Sequence, residues 1–385
     1  MTLPPLAEFL DTKPLFYTKF DPNRIKDAFR LIQNHIKSPT RVQIIGTNGK
    51  GSTGRALAYL AYKSGLQVGH FTSPHIFDFK ERFWINNRFA SEQELEEAHK
   101  KLFSLLGEEV AKSLSYFEYQ ALLSAFVFEK LDLAVIEAGL GGEHDATSVF
   151  SYDITIFTPI AFDHSDFLGN SLEEIATTKL QAMQKKAILS KQPFSKVVAI
   201  ASKIAKQKDI SLVPFNQKRY TQIEKIVTKP YPNYLLENFT TATQALDELN
   251  IPYSLKDLNT LNLFGRFYKI LPNVTIDVGH NPLAAKAIAK ALDKKIILIF
   301  NILNDKDAKE VLEILKEKIE EVEIIPFENQ RVMKQKELES LLQELQIPFR
   351  IFKGEIKANK EYLVFGSFYT VSEFLKQMNI TSIRA

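Results

Sequence analysis

Short apolar runs of strand length recur along the chain, at Val42–Ile45, Leu133–Ile136, Ile154–Ile160, Val274–Ile276, Ile296–Phe300, Val322–Ile325 and Tyr362–Phe365. Between them apolar residues return at helical spacing, as in Ser91–Leu106, Phe117–Leu131, Ala308–Ile319 and Lys334–Leu345. Uniformly apolar strands alternating with amphipathic helices predict an α/β architecture, with mostly parallel sheets covered by helices on both faces. The helical pattern stops after Leu249, at Asn250-Ile251-Pro252 and Asn259–Asn262. This predicts a larger first domain, residues 1–261, and a smaller second one, residues 262–385. The Lys- and Gln-rich stretch 185–230 shows no clear period, and no internal repeat is visible.

Composition narrows the class. At 385 residues the chain is long enough for two cores. Its 45% hydrophobic and 25% charged content is ordinary for a globular protein. A net charge of +3 without a long basic block gives no reason to invoke nucleic acid. There is no cysteine, which excludes disulfides and thiolate metal sites. The start, Met-Thr-Leu-Pro-Pro-Leu-Ala-Glu, lacks a basic n-region and an apolar h-region, and no apolar stretch approaches a membrane span. A cytoplasmic enzyme without a membrane partner fits this composition.

The first apolar run breaks into Gly46-Thr47-Asn48-Gly49-Lys50-Gly51-Ser52, and helix-forming residues follow from Thr53. Strand, glycine loop and helix start turn backbone N–H groups and a helix dipole toward a phosphate. Lys50 supplies a point charge, and Ser52 or Thr53 a hydroxyl for Mg²⁺. The spacing departs from the common phosphate loop. Only Thr47 and Asn48 separate Gly46 from Gly49, and Gly51 follows the lysine. Asn-Gly is also a hairpin signal, but a helical pattern follows rather than a second alternating strand.

In open α/β sheets ligands gather at the carboxyl ends of strands. Glu137 ends the second run, and Asp163-His164 follow the third. With Ser52 they place a hydroxyl, a carboxylate and an imidazole at three strand ends, where they could share one divalent ion. Taken singly, Glu137 reads as a capping or ion-paired carboxylate and His164 as a satisfied histidine. Their convergence beside a phosphate loop favours ligands. In the second half, Val274–Ile276 ends in Asp277-Val278-Gly279-His280-Asn281-Pro282. Asn281 reads as a helix N-cap and Pro282 as the first helical residue, which leaves Asp277, Gly279 and His280 unexplained. Gly265-Arg266 lies near the boundary, where an arginine could reach phosphates or simply be solvated.

These segments together resemble the folylpolyglutamate synthase/dihydrofolate synthase family, within the wider Mur ligase group. The carrying motifs are Gly-Thr-Asn-Gly-Lys-Gly-Ser-Thr at 46–53, Thr-Ser-Pro-His at 72–75, Phe-Glu at 117–118, Glu-Ala-Gly-Leu-Gly-Gly at 137–142, Asp-Ala-Thr at 145–147, Asp163-His164, Leu168-Gly169, Gly265-Arg266 and Asp277 through Pro282. Their order covers residues from about 18 to 370. The resemblance implies a P-loop-type first domain and a Rossmann-like second one. It also implies that Thr72, Ser73, Pro74 and His75 form a folate-side loop, with Phe117, Asp145 and Ala146 contacting the pterin substrate. Lys179 falls where the family carries a carbamylated lysine that helps hold magnesium; without the family it would read as a solvated helix lysine. Asn238, Arg266, Asp277 and His280 match residues that meet ATP. The variable slots differ from the usual pattern at Glu143, His144 and Ser148, and Tyr234-Leu235 stand where a His-Gln pair is usual.

The implied activity is ATP-driven amide formation through an acyl phosphate, joining L-glutamate to dihydropteroate or to a reduced folate. Lys50, His164, Lys179, Arg266 and His280 would be its catalytic residues. The implied cofactors are ATP and Mg²⁺ on Ser52, Glu137, His164 and Lys179, with a monovalent cation as a further option, and the family is generally monomeric. Another Mur-type amide ligase, or a phosphate-loop ATP switch without ligation chemistry, stays open as an alternative.

Overall fold

The computed structural model describes residues 3–14, 21–37, 39–163 and 168–380. The chain divides into two units. The first comprises Met1–Thr228 and Glu237–Leu261, the second Lys229–Leu236 and Asn262–Ala385. The expected division at 261/262 put 229–236 in the first unit. They group with the second, where Tyr234 donates from its hydroxyl to Asp277 at 2.9 Å.

The first unit is built on eight strands: β1 (Thr40–Ile45), β2 (Val68–Phe71), β3 (Phe83–Ile85), β4 (Arg88–Phe89), β5 (Leu133–Glu137), β6 (Ile154–Phe157), β7 (Lys186–Leu189) and β8 (Ser211–Val213). Their order is β4-β3-β2-β5-β1-β6-β7-β8, parallel except for the β2–β3 and β3–β4 pairs. Buried on both faces, β1, β5 and β6 lack the polar alternation of a solvent-facing sheet. The chain passes to β2 on one side of β1 and later returns to β6 on the other. The carboxyl ends of β5, β1 and β6 therefore flank a topological switch point, where open α/β sheets bind ligands.

One apolar cluster packs Phe71, Phe83 and Ile136 against the helices Leu6–Asp11, Pro22–Ile32, Glu92–Ser113 and Tyr116–Val127. The other packs Ile45, Phe157 and Leu189 against the helices Leu172–Leu180 and Ser195–Gln207. Ser91 caps the long helix in a capping box with Glu94, one residue into the expected span. The helix runs on to Ser113 across a break at Gly107. The run 154–160 is strand only to Phe157, because Pro159 has turned to accept the loop N–H groups of Thr47 and Asn48.

The second unit carries β9 (Tyr268–Leu271), β10 (Val274–Ile276), β11 (Ile296–Phe300), β12 (Ile319–Ile324), β13 (Phe349–Ile351) and β14 (Tyr362–Phe365) in the order β13-β12-β11-β14-β10-β9. All pairs are parallel except β9–β10. Its core joins Leu298, Phe300, Val322, Leu363 and Phe365 to Val311, Leu312, Leu338 and Leu342 of the covering helices. Among the described residues, no helix is long and apolar enough to cross a membrane.

Candidate active site

The loop after β1 is held in shape by its neighbours. Thr47 and Asn48 donate from their N–H groups to the Pro159 carbonyl at 2.9 and 3.3 Å. The Thr47 hydroxyl donates to the Ala161 carbonyl and accepts from the Ala161 N–H, both at 3.1 Å. Gly49 is the N-cap of the helix Lys50–Lys63 at φ 86°, a left-handed conformation that favours glycine. A Cβ there would also meet the Asn238 amide oxygen at 2.7 Å. The loop therefore delivers the first N–H groups of a fourteen-residue helix to one point, the arrangement that binds anions. Lys50 arches over the loop, its Nζ 3.2 Å from the Gly46 carbonyl and 3.3 Å from that of Thr47.

Ser52 is buried. Its hydroxyl donates to the Gly49 carbonyl at 3.2 Å and accepts from the Asn238 amide at 2.8 Å. Asn238, matched by resemblance to a nucleotide contact, thus fixes the rotamer of Ser52. Thr53 is fully buried, and among the described residues its hydroxyl has no hydrogen-bond partner. A protein rarely leaves such a group unpaired without a use for it.

The strand register places the next residues. Ile44 lies opposite Glu137, and Phe71 opposite Ile136, so Glu137 and Thr72 leave neighbouring strands at the same edge as the loop. Glu137 is buried and accepts a short hydrogen bond from the Thr72 hydroxyl. Sequence reasoning placed Thr72 on the folate side; here its hydroxyl also orients the candidate metal carboxylate.

Lys179 sits at the end of the helix Leu172–Leu180. Gly142 lets this helix pack close, since a Cβ there would meet the Lys179 carbonyl at 2.5 Å. The Lys179 side chain is buried and donates to the Gly46 carbonyl at 3.3 Å, the oxygen Lys50 also uses. Burial, and then the charge of Lys50, lower its pKa to about 7, against the pull of Asp163 and Asp145. It is no solvated helix lysine. The unfolded chain keeps this proton up to about 10.5, so between about 7 and 10.5 it holds more protons than the native state, and stability rises with pH across that window. Lys179→Met is expected to raise the melting temperature by several degrees near pH 6 in bicarbonate-free buffer, with the gain shrinking toward alkaline pH. A pH-independent difference between the two melts would contradict the burial penalty.

The residues expected on the folate side form a separate set of contacts. Phe117 lies over Gly139, where a Cβ would meet its ring at 2.6 Å, and tilts against Phe71 at 5.9 Å. His75 accepts at Nδ1 from the Arg82 Nε at 3.0 Å, and burial together with that cation lowers its pKa to about 4. His75 is therefore a neutral imidazole carrying its proton on Nε2. Arg82 also donates to the Gln120 side-chain oxygen at 3.0 Å and stacks on Tyr116 at 5.2 Å. Ser73 is half-buried and Pro74 exposed in the same loop, joined by a cis peptide bond. Asp145 shapes its own loop: it accepts from Leu140 N at 2.8 Å and from the N–H and hydroxyl of Thr147 at 2.9 and 2.6 Å, with burial raising its pKa. Ala146 is buried behind it. Arg82 and Gln120 escaped sequence reasoning because neither belongs to a short motif. Glu118 closes a capping box from Ser115 as the third helical residue and pairs with Arg24 at 3.1 Å.

In the second unit, Asp277 is a buried hub. Its carboxylate accepts from Gly279 N at 2.7 Å, Phe267 N at 2.8 Å and the Tyr234 hydroxyl at 2.9 Å, and burial raises its pKa despite Arg266. It thereby sets the backbone that carries Arg266 and His280. Arg266 stacks on Phe368 at 5.2 Å, and His280 donates from Nδ1 to the Val278 carbonyl at 3.0 Å. Asn281 caps the next helix through Ala284 N at 2.9 Å, and Pro282 opens it. Tyr234→Phe removes one of the hub's donors, and a buried carboxylate short of a donor costs about 1–3 kcal/mol. The expected result is a lower urea midpoint; an unchanged midpoint would mean that the Tyr234 hydroxyl adds nothing.

The set fits a divalent cation of the Mg²⁺ type in its donor chemistry: a buried hydroxyl and a buried carboxylate, both hard oxygens, beside a phosphate loop. His164 lies outside the described residues. Among the described residues, no group of three or more His, Cys, Asp or Glu side chains could hold a metal by itself. Mg²⁺ suits this, since it is commonly held by one or two protein ligands plus substrate phosphates.

Residues 44–226 match the Mur ligase middle domain. The dihydrofolate synthase/folylpolyglutamate synthase of Haemophilus influenzae is 30% identical over 96% of this chain and 97% of its own length. The folylpolyglutamate synthetase of Helicobacter pylori is 38% identical, with a TM-score of 0.77 over 98% of both chains. The bifunctional folylpolyglutamate synthase/dihydrofolate synthase of Yersinia pestis, solved with AMPPNP and Mn, is 27% identical, with a TM-score of 0.82 over 98% of both chains. The chain belongs to the dihydrofolate synthase/folylpolyglutamate synthase family of Mur-type ligases.

Proposed function

We propose that this protein is an ATP-dependent ligase that forms an amide between the carboxylate of a pteroate or folate and the amino group of L-glutamate. The observation that carries this reading is the shared edge of β1, β5 and β2, where a phosphate loop, a buried carboxylate and the Thr72–His75 segment meet. A non-ligating ATP switch accounts for Lys50 and Ser52 but leaves Glu137, Thr72 and the buried Lys179 without a purpose.

A carboxylate is a poor acyl donor because its leaving group is oxide. Transfer of the γ-phosphoryl group to one carboxylate oxygen gives an acyl phosphate and ADP; the glutamate amine then attacks the acyl carbon and phosphate leaves with that oxygen. Protein catalysis of the first step is mainly positioning and charge stabilisation. Lys50 and the N–H groups at the helix start hold the transferring phosphoryl group. Ser52, its rotamer set by Asn238, and Glu137, oriented by Thr72, hold the divalent ion, which when bound neutralises charge on the phosphate oxygens. His164 is proposed as a further ligand from its place after β6. Arg266, Asp277 and His280 are proposed to meet ATP, Asp277 by shaping the backbone of the other two. Phe117, Ser73, Pro74, His75, Asp145 and Ala146 are proposed to form the folate side, with neutral His75 offering an Nε2 donor.

Lys179 is proposed to be carbamylated. A buried amine with a pKa of about 7 is substantially unprotonated at neutral pH, the form that adds CO₂ with loss of a proton. The resulting carbamate would turn an amine crowded by Lys50 into an oxygen donor for the cation.

The reading is tested by ADP release in paired assays, dihydropteroate plus L-glutamate against tetrahydrofolate plus L-glutamate. Release that requires both partners in at least one arm is expected, and the arm that responds names the activity. Release indifferent to both partners would favour the switch.

A further inference from the structure

Arg55 lies three residues after Ser52 in the helix Lys50–Lys63, so the two share a helix face. It plays no part in the assignments above, yet its surroundings are built. Its guanidinium carbon sits 4.9 Å from the ring centroid of Trp84, a fully buried side chain held edge-on by Tyr62 at 6.2 Å. Its Nε donates to His70 Nδ1 at 3.3 Å. His70 is itself buried, and burial together with Arg55 keeps it neutral. The imidazole occupies the space beside Gly54, where a Cβ would meet its Nε2 at 2.4 Å. Stacking on one face and a hydrogen bond at Nε leave the guanidinium one orientation.

The two terminal nitrogens are different. Among the described residues, no oxygen lies within hydrogen-bond or ion-pair reach of them, and they are not among the sealed polar atoms that lack a partner. The side chain is half-buried, and its terminal nitrogens are not sealed from solvent. Glu137 and Glu81 are near enough for their charges to act on it. Glu81 is engaged by the N–H groups of Ile76, Phe77 and Asp78 at 2.8, 2.7 and 2.8 Å, which places it under the segment that follows Thr72–His75. The fork thus stands on the β2 side of Glu137, away from the helix start that receives phosphate. Two parallel N–H groups held in a plane are matched to a carboxylate.

We propose that Arg55 is a substrate-binding residue whose terminal N–H pair receives a carboxylate of one of the two co-substrates, with His70 and Trp84 as its positioning residues. This rests on the ligase reading. The carboxylate belongs either to the pteroate or folate molecule or to the incoming L-glutamate, and the two sources are distinguished by measurement.

The test is steady-state kinetics of wild type, Arg55→Gln, Arg55→Lys and Gly54→Ala, varying ATP, the folate-side substrate and L-glutamate in turn, with thermal melts of each. Loss of a charged bidentate contact is expected to raise KM for one carboxylate substrate about 10- to 100-fold in Arg55→Gln. KM for ATP should stay within about twofold and the melting temperature near wild type. Arg55→Lys, a point charge without the fork, should recover part of the loss, and Gly54→Ala, which displaces His70, should raise the same KM. The substrate whose KM moves is the source. Unchanged KM for both carboxylate substrates, or equal increases for all three, would overturn the proposal. If wild type does not ligate at all, the ligase reading fails separately. Equilibrium binding of L-glutamate and of dihydropteroate to wild type and Arg55→Gln then decides the inference, equal affinities overturning it.

Discussion

Lys50→Ala is expected to lower kcat/KM for ligation by about a hundred- to a thousandfold, with the melting temperature unchanged. The two halves of this expectation come from different contacts. A preorganised charge aimed at a developing anion contributes about 10²–10³ in rate where a single donor is removed, and Lys50 is the loop's only cation. Its native hydrogen bonds, by contrast, go to the Gly46 and Thr47 carbonyls on a half-exposed loop whose shape is fixed independently by Pro159 and Ala161. Removing the lysine therefore leaves the loop standing. It also relieves Lys179, whose pKa Lys50 depresses, so the amine of Lys179 should titrate higher in the variant. Ligation is read by product formation and the fold by melting. Near-normal turnover would remove the phosphate loop from the mechanism.

Glu137→Gln should abolish turnover at physiological Mg²⁺ and show partial recovery at high metal concentration, while nucleotide binding in the absence of metal persists. The substitution keeps shape and hydrogen-bond capacity but removes the charge a hard cation needs. Because the Thr72 hydroxyl donates to this side chain, the glutamine oxygen can still accept that bond and the β5–β2 edge should hold. A loss of activity that excess metal does not touch, or a loss of nucleotide binding without metal, would point to a structural role instead.

The strands that form the centre of each sheet were legible because burial on both faces leaves apolar runs with no other reading. The strands flanking these were not. β2 reads Val-Gly-His-Phe, and its polar members are buried for reasons outside the strand: Gly69 makes room for Phe128, and His70 receives Arg55. β8 is a short, half-exposed edge whose composition carries no pattern. The helix Ser195–Gln207 had a readable stripe in Val197, Ala201, Ile204 and Ala205, obscured by its lysines.

The site shows the same division. Gly46 through Ser52 and Glu137 could be placed from local pattern, since each follows directly from a strand end. Lys179 could not: nothing in Ile-Ala-Thr-Thr-Lys says that its amine is buried against Gly46, because its helix packs against Gly142 in another segment. Asp277 was legible as unusual but not in kind. Its three donors come from Tyr234, Phe267 and Gly279, so its role as a hub exists only in the folded second unit.

The acyl phosphate is the central claim, and its oxygen bookkeeping is unambiguous. The wild-type protein is supplied with ATP, Mg²⁺, L-glutamate and whichever folate-side substrate it accepts, labelled with heavy oxygen in both positions of the reacting carboxylate, and the phosphate released is analysed by mass. One heavy oxygen in each phosphate, in step with amide formed, is the predicted result. Phosphate free of label while amide accumulates would contradict the mechanism.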